Sequence, residues 1–270
     1  MNSTSVRRSI RRSTPRTLAA TLSLLVALYA APASANTDYT DLWWNASESG
    51  WGVNFIQADN FIFSTFFVYG TTGQPTWFTG QLTVDGNGIW SGPLYITSGT
   101  YFGAGWNSAQ SGIRQVGTAT FAPATDASGT LTYNVDGVNV SKQLIRQTLK
   151  TIPLGGNYQG SALTIVSGCN NPAQNGTFSR YSSIAVSQTV TGNITLGFGI
   201  QGNGTCTLNG NANQFGQIYQ IPSATYTCGA VGSTLLVTNL KATAQGIEGQ
   251  WQGPVGGGCS ESGYFTGTLQ

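Results

Sequence analysis

Histidine is absent from the 270 residues of this sequence, and lysine occurs only as Lys142, Lys150 and Lys241. Without histidine, Ser-His-Asp and Cys-His catalysis and most zinc and haem sites are excluded. Three lysines offer few candidates for the base of a Ser-Lys catalytic pair. We therefore expect no metal, no cofactor and no catalytic residue, and we favour a non-enzymatic protein over an enzyme.

The N-terminus joins five arginines to an apolar stretch over residues 18–31, which Ala33-Ser34-Ala35 follows. A basic segment, a short apolar segment and an A-x-A site are typical of a secretory signal peptide. The apolar stretch is shorter than the roughly 20 residues that a membrane span needs. Residues 1–35 are therefore predicted to be cleaved after Ala35. This places the protein in the periplasm, on the cell surface or outside the cell, with no transmembrane segment in the mature chain.

Charge is also scarce, at 7% of residues against roughly 25% in ordinary soluble domains. Without the signal peptide, six Lys and Arg residues face nine Asp and Glu residues, so the net charge is −3. Nucleic-acid binding needs clustered positive charge, and this balance argues against such a partner. Seven Trp, twelve Phe and ten of the eleven Tyr remain in the mature chain and supply apolar surface for a core.

Composition divides the mature chain in two. Six of the seven tryptophans precede residue 150, all four cysteines follow it, and Pro153, Gly155 and Gly156 lie between the two groups. We predict a Trp-rich domain over 36–150, a linker over 151–156 and a disulfide-bonded domain over 157–270.

Helical periodicity is nearly absent from the mature chain, whereas short apolar runs separated by turn residues recur in both halves. Strands are predicted over 52–58, 61–69, 76–84, 89–97, 117–122, 129–135, 163–167, 183–190, 193–200, 218–226, 234–240 and 264–269. The pattern Gly-x-aromatic-x-Gly surrounds Trp90, Tyr101, Tyr158 and Trp251. Glycines beside a large ring let a strand curl sharply. The predicted fold class is all-β, with two small antiparallel β-barrels built as up-and-down meanders.

The four cysteines of an exported chain predict two disulfides, for which three connectivities exist. Cys206 and Cys228 flank a hairpin-sized segment. Cys169 and Cys259 lie near the first and last strands of the second half, which closure of a barrel brings together. We therefore predict the pairs Cys206–Cys228 and Cys169–Cys259.

The most distinctive segment is DLWWNASESGWGVNF over residues 41–55, with FFVY at 66–69 and GQPTW at 73–77. It resembles a module of secreted proteobacterial proteins of unassigned function, which reads W-W-N-x-x-E-S-G-W-G and then Y-x-x-x-G-x-P-x-W. The resemblance covers roughly residues 38–150 and implies a bacterial, secreted context without a specific activity. The opening Trp-Asn and Gly-x-Trp elements are also distantly similar to avidin-type barrels, from which no biotin-contacting residue carries over.

Two roles are open for the aromatic residues of this segment: they pack in a barrel core, or they stack on a ligand such as a sugar ring. The candidate ligand-binding residues are Trp43, Trp44, Asn45, Glu48, Trp51, Tyr69 and Trp77. We expect a secreted, non-enzymatic binding protein whose Trp-rich half contacts a glycan or a small amphipathic molecule.

Two alternatives remain. The first is a structural or adhesive protein of the surface or matrix, whose low charge suits self-association. The second is a carbohydrate-active hydrolase in which rings around Glu48 raise its pKa, as a general acid requires. A plain structural role for Glu48, as acceptor of backbone N–H groups in its turn, is the expectation that we favour over catalysis.

Overall fold

In a computed structural model that describes residues 37–200 and 204–270, the chain consists of β-strands joined by turns and by two 3-10 helical turns, Ser108–Gln110 and Pro172–Gln174. The predicted signal peptide lies outside the described residues. Within the described part, neither helical turn is long or apolar enough to cross a bilayer.

The first eight strands form a closed antiparallel barrel, barrel one, in which each strand pairs with the next along the chain. They are β1 (Asp41–Trp44), β2 (Gly52–Ala58), β3 (Phe61–Tyr69), β4 (Pro75–Val84), β5 (Trp90–Ser98), β6 (Gly112–Pro123), β7 (Ser128–Val135) and β8 (Val138–Arg146). The first strand closes the ring against the last, with Trp43 opposite Arg146 and Trp44 opposite Ile145.

The remaining strands form a second closed barrel, barrel two. They are β9 (Gly156–Ser167), β10 (Gly176–Gln188), β11 (Asn193–Ile200), β12 (Gly204–Asn211), β13 (Asn213–Phe215), β14 (Ile218–Cys228), β15 (Val231–Ala242), β16 (Gly246–Pro254) and β17 (Ser260–Leu269). Eight of them form the ring, which closes where β9 pairs with β17 and where β12 pairs with β14, while the short β13 adds only to β14. The predicted fold class, all-β with two small antiparallel barrels, is confirmed.

Bare glycine positions let the strands of both barrels approach closely. A side chain at Gly92 or Gly160 would overlap a carbonyl oxygen of the neighbouring strand. The aromatic residues Trp90, Tyr158 and Trp251 of the Gly-x-aromatic-x-Gly pattern are all buried on the inner faces. Tyr101 is the exception, because its copy of the pattern lies in the β5–β6 loop and its ring is 67% exposed.

The disulfides are confined to barrel two and join the predicted pairs, Cys169–Cys259 and Cys206–Cys228. Cys206 and Cys228 are register partners on β12 and β14, so one disulfide lies across the closing seam of the barrel. The other joins the β9–β10 connection to the β16–β17 connection. Two disulfides in one small barrel fit an oxidising compartment such as the periplasm or the cell exterior.

The two barrels belong to one compact unit and meet through buried polar groups. Arg146 of barrel one is 2% exposed and pairs with Asp41 at 3.3 Å. The Asp41 carboxylate also accepts the backbone N–H of Gln217 at 2.9 Å, and the Asp126 carboxylate accepts that of Asn239 at 2.8 Å. Barrel two therefore supplies main-chain donors to carboxylates of barrel one. The boundaries of 36–150 and 157–270 as separate domains stay a prediction.

Candidate functional site

The interior of barrel one is filled with aromatic rings. Trp43, Phe55 and Phe121 have no exposed surface, and their ring centroids lie 5.0–5.9 Å apart. Tyr39 and Trp90 extend the same cluster, with Tyr39 5.5 Å from Phe121 and 6.1 Å from Trp90. Edge and tilted contacts at these distances are the favoured arrangements of packed rings. These five rings therefore form a packed core in barrel one.

The β1–β2 loop, residues 45–51, holds the most distinctive part of the sequence. The Asn45 side chain accepts the backbone N–H of Ser47 at 3.0 Å, and the Asn45 carbonyl accepts that of Glu48. These bonds form a tight turn of the kind that asparagine stabilises. The turn places the Glu48 carboxylate 3.0 Å from the indole Nε1 of Trp51 and 2.6 Å from the Nζ of Lys142 on β8.

The environment of Glu48 lowers the pKa of its carboxyl. The hydrogen bond from Lys142 is the largest cause of the lowering. Burial opposes it, and the bond from Trp51 and the charge of Lys142 add to the lowering. A general acid needs a raised pKa, so the lowered pKa of Glu48 disfavours the hydrolase alternative. The structural role also differs from our expectation, because the carboxylate accepts an indole N–H and an ammonium group rather than backbone N–H groups.

The loop is fixed to an exposed aromatic surface on β3 and β4. The Tyr69 hydroxyl donates to the Gly50 carbonyl at 2.9 Å. Phe67 and Trp77 are register partners on the outer face of the barrel. Phe67 is 52% exposed, Tyr69 58% and Trp77 47%. This end of the barrel thus presents several large rings to solvent.

Six of the seven predicted site residues lie at this end of barrel one. Trp44, Asn45, Glu48 and Trp51 belong to the β1–β2 corner, and Tyr69 and Trp77 extend it across the outer face. Trp44 is half-buried, and its indole N–H has no hydrogen-bond partner among the described residues. Trp43 points the other way, as alternation along a strand requires, and its ring is wholly enclosed. It is a core residue without a surface for a ligand.

Sequence reasoning missed a second group of exposed rings at the same end. The β5–β6 loop carries Tyr101, Phe102 and Trp106, which are 67%, 94% and 74% exposed. The loop is ordered by polar contacts, including the Asn107 backbone N–H bonded to the Thr100 hydroxyl at 2.8 Å. The density of aromatic residues between Gly99 and Trp106 was the available signal.

No known protein family and no curated protein matches this chain. Two solved structures cover most of it at low similarity. A putative outer membrane protein from Bacteroides fragilis is 14% identical and covers 84% of this chain and 94% of its own, with a TM-score of 0.33. A protein of unknown function from the DUF3598 family of Nostoc punctiforme is 12% identical and covers 85% and 93%, with a TM-score of 0.23.

Proposed function

We propose that this is an exported, non-enzymatic binding protein whose exposed aromatic surface on barrel one contacts a glycan. The observation that carries the proposal is the group of exposed rings formed by Phe67, Tyr69 and Trp77 together with those of the β5–β6 loop. Leaving such rings in water forfeits the free energy of burying them, and exposed apolar patches mark interaction sites. The resemblance of residues 38–150 to a secreted bacterial module supports the same context.

The polar residues around the rings suit a neutral, hydroxyl-rich ligand. Thr65 and Thr79 are register partners between β3 and β4, and Gln81 lies opposite Phe63 on the same outer face. Flat aromatic faces stack on the apolar faces of sugar rings, while hydroxyl and amide groups bond their hydroxyls. Glu48 and Lys142 neutralise each other, so this end of the barrel has little net charge from them.

The test is a glycan array with the mature protein, followed by titration of each hit with Trp77→Ala. We expect Trp77→Ala to weaken binding about tenfold or more, because truncated aromatic anchors dominate many interfaces. The matched control is Tyr181→Ala, which removes a ring that is 60% exposed on barrel two. Equal affinity of both variants, or assembly without any saturable glycan, would contradict the proposal; the latter would favour the structural or adhesive alternative.

Export is tested separately by mass spectrometry of the protein recovered outside the cytoplasm. We expect its first residue to be Asn36. A retained N-terminus would contradict both the export and the net charge of −3.

A further inference from the structure

A cavity of about 300 Å³ opens at the end of barrel two that carries both disulfides. It adjoins a narrow inner part of about 40 Å³, and the two parts share Thr164, Arg180, Ile200, Tyr226 and Glu261. The inner part is lined by apolar side chains, including Phe198, Leu208 and Trp251. Cys228 and Cys259 line the outer part, so each disulfide fixes one side of the rim.

Three polar side chains converge where the outer and inner parts join. Glu261 accepts the indole N–H of Trp251 at 2.8 Å, and burial raises the pKa of its carboxyl. Burial also raises the pKa of Tyr226 to about 12, and the charge of Glu261 adds to this shift. The positive charge of Arg180 acts on both groups in the opposite direction. One cation and one carboxylate therefore face the same space, and their charges cancel.

A glycine on the inner face leaves room for the Trp251 indole. Gly263 is the register partner of Trp251, and a Cβ at Gly263 would overlap the indole ring. Glu261 lies two residues before Gly263 on the same face of β17. This position brings its carboxylate to the Trp251 indole N–H. The floor of the cavity and its polar ring are thus prepared before any ligand arrives, which reduces the cost of ordering on binding.

We propose that this cavity binds a small, uncharged amphipathic molecule with hydroxyl or amide groups. Its apolar part would pack on Phe198 and Trp251, and its polar groups would meet Arg180, Tyr226 and Glu261. An uncharged ligand is favoured because a charged one would leave an uncompensated charge in a partly buried site. A volume of about 300 Å³ lies at the lower end of the range for ligand sites, so the molecule is small.

The first experiment titrates the disulfide-bonded protein with N-phenyl-1-naphthylamine, an uncharged aromatic amine whose fluorescence rises in apolar surroundings. We expect saturation at one probe per chain. In displacement, uncharged 2-naphthol should be effective at a concentration at least tenfold lower than 2-naphthoate or 2-naphthylmethylammonium. Absence of saturation, or equal displacement by all three competitors, would overturn the proposal.

The location is tested by filling the inner part of the cavity. Ala162 lines it, whereas Ser161 is exposed and points outward from the same strand. We expect Ala162→Phe to reduce probe affinity at least tenfold and Ser161→Phe to leave it unchanged. If Ala162→Phe fails to fold by circular dichroism, Ala162→Leu takes its place. Unchanged binding by a folded filled variant, or loss of binding in Trp77→Ala of barrel one, would place the probe elsewhere.

The charge balance is tested by Glu261→Gln, which keeps an acceptor for the Trp251 indole and removes the negative charge from the cavity. We expect 2-naphthoate to become at least tenfold more effective relative to 2-naphthylmethylammonium. Glu248→Gln is the control, because Glu248 is exposed on the outside of the same barrel. The same relative efficacy in wild type and Glu261→Gln would show that these charges do not select the ligand.

Discussion

Barrel one and barrel two have the same eight-stranded architecture and a similar group of side chains at one end, yet they differ in what fills the interior. Each end pairs a glutamate with an indole N–H, Glu48 with Trp51 and Glu261 with Trp251. Each also has a cation that acts on the glutamate, Lys142 or Arg180. Five rings pack together inside barrel one, whereas a cavity opens beside the Glu261 group in barrel two.

The difference shows how the placement of aromatic residues decides where a ligand meets a small barrel. Rings that fill the interior, as in barrel one, leave only outer faces and loops for recognition. In barrel two the Trp251 indole packs against Phe198 and Phe265, and the space above these rings is open. Both disulfides occur in the barrel with the cavity, where Cys228 and Cys259 line its outer part.

Reduction of the disulfides should produce the largest difference between the barrels. They close loops with sequence separations of 90 and 22 residues. The chain-entropy relation gives about 5 and 3 kcal/mol of stabilisation for loops of these lengths. We expect hydrogen exchange, followed by mass spectrometry, to accelerate in peptides of barrel two after reduction and to stay nearly unchanged in barrel one. Equal acceleration in both barrels would show that they unfold as one unit.

Much of this fold could be predicted from the sequence because strand alternation and turn residues are local signals. The predicted strands 52–58, 61–69 and 193–200 coincide with β2, β3 and β11. Five strands were missed: β1, β8, β12, β13 and β16. Strands β12 and β16 contain glycines and polar residues, which have low strand propensity. They form strands because each is paired on both sides when the barrel closes.

The candidate site was less predictable, because exposure depends on the tertiary arrangement. Trp43 and Trp44 are adjacent in sequence, and alternation requires opposite faces but does not say which face is inside. The cavity of barrel two depends on Thr164, Arg180, Tyr226 and Glu261, which are distant in sequence and carry no recognisable motif. Only barrel closure brings them together.

Removal of Asp41 should strongly destabilise the contact between the barrels. Its carboxylate serves both the buried Arg146 guanidinium and the backbone N–H of Gln217. Loss of one partner of a buried ion pair costs about 3–5 kcal/mol, because the other charge stays buried without compensation. We expect Asp41→Ala to lower the free energy of unfolding by this amount in urea titration. Asp136→Ala, which removes the exposed partner of Arg114, is the control and should have a much smaller effect.

Two tryptophan substitutions separate the core of barrel one from its surface. Trp43→Ala removes a fully enclosed ring and should cost about 3–5 kcal/mol of unfolding free energy. Trp77→Ala removes a ring that is 47% exposed and should cost only about 1 kcal/mol, from the lost cross-strand pair with Phe67 and the lower strand propensity of alanine. Thermal and urea unfolding measure both. A large loss of stability in Trp77→Ala would mean that its ring serves packing and would weaken the proposed glycan surface.

The smallest and most specific effect concerns the two Glu-Trp pairs, whose carboxyl pKa values shift in opposite directions. The hydrogen bond from Lys142 lowers the pKa of Glu48 in the folded state. Ionised Glu48 therefore stabilises the folded protein at pH values above the pKa that Glu48 has in the unfolded chain. This contribution is lost as pH falls through the pKa of Glu48 in the folded protein. Burial raises the pKa of Glu261, so the folded state binds the proton more tightly than the unfolded chain does. Stability therefore decreases as pH rises from the unfolded pKa to the folded pKa, and the cost persists above that window.

Glutamine substitutions should reveal these opposite signs, because glutamine resembles the protonated acid and still offers an acceptor to the indole. At pH 7 we expect Glu48→Gln to be less stable than the wild type and Glu261→Gln to be more stable. At pH 3 both differences should shrink, because protonated glutamate and glutamine are then equivalent in charge. Urea unfolding at the two pH values measures all four differences. Destabilisation by Glu261→Gln at pH 7 would mean that its ionised carboxylate is stabilised by Arg180 and Trp251 beyond the cost of burial, and the two barrel ends would then be electrostatically alike.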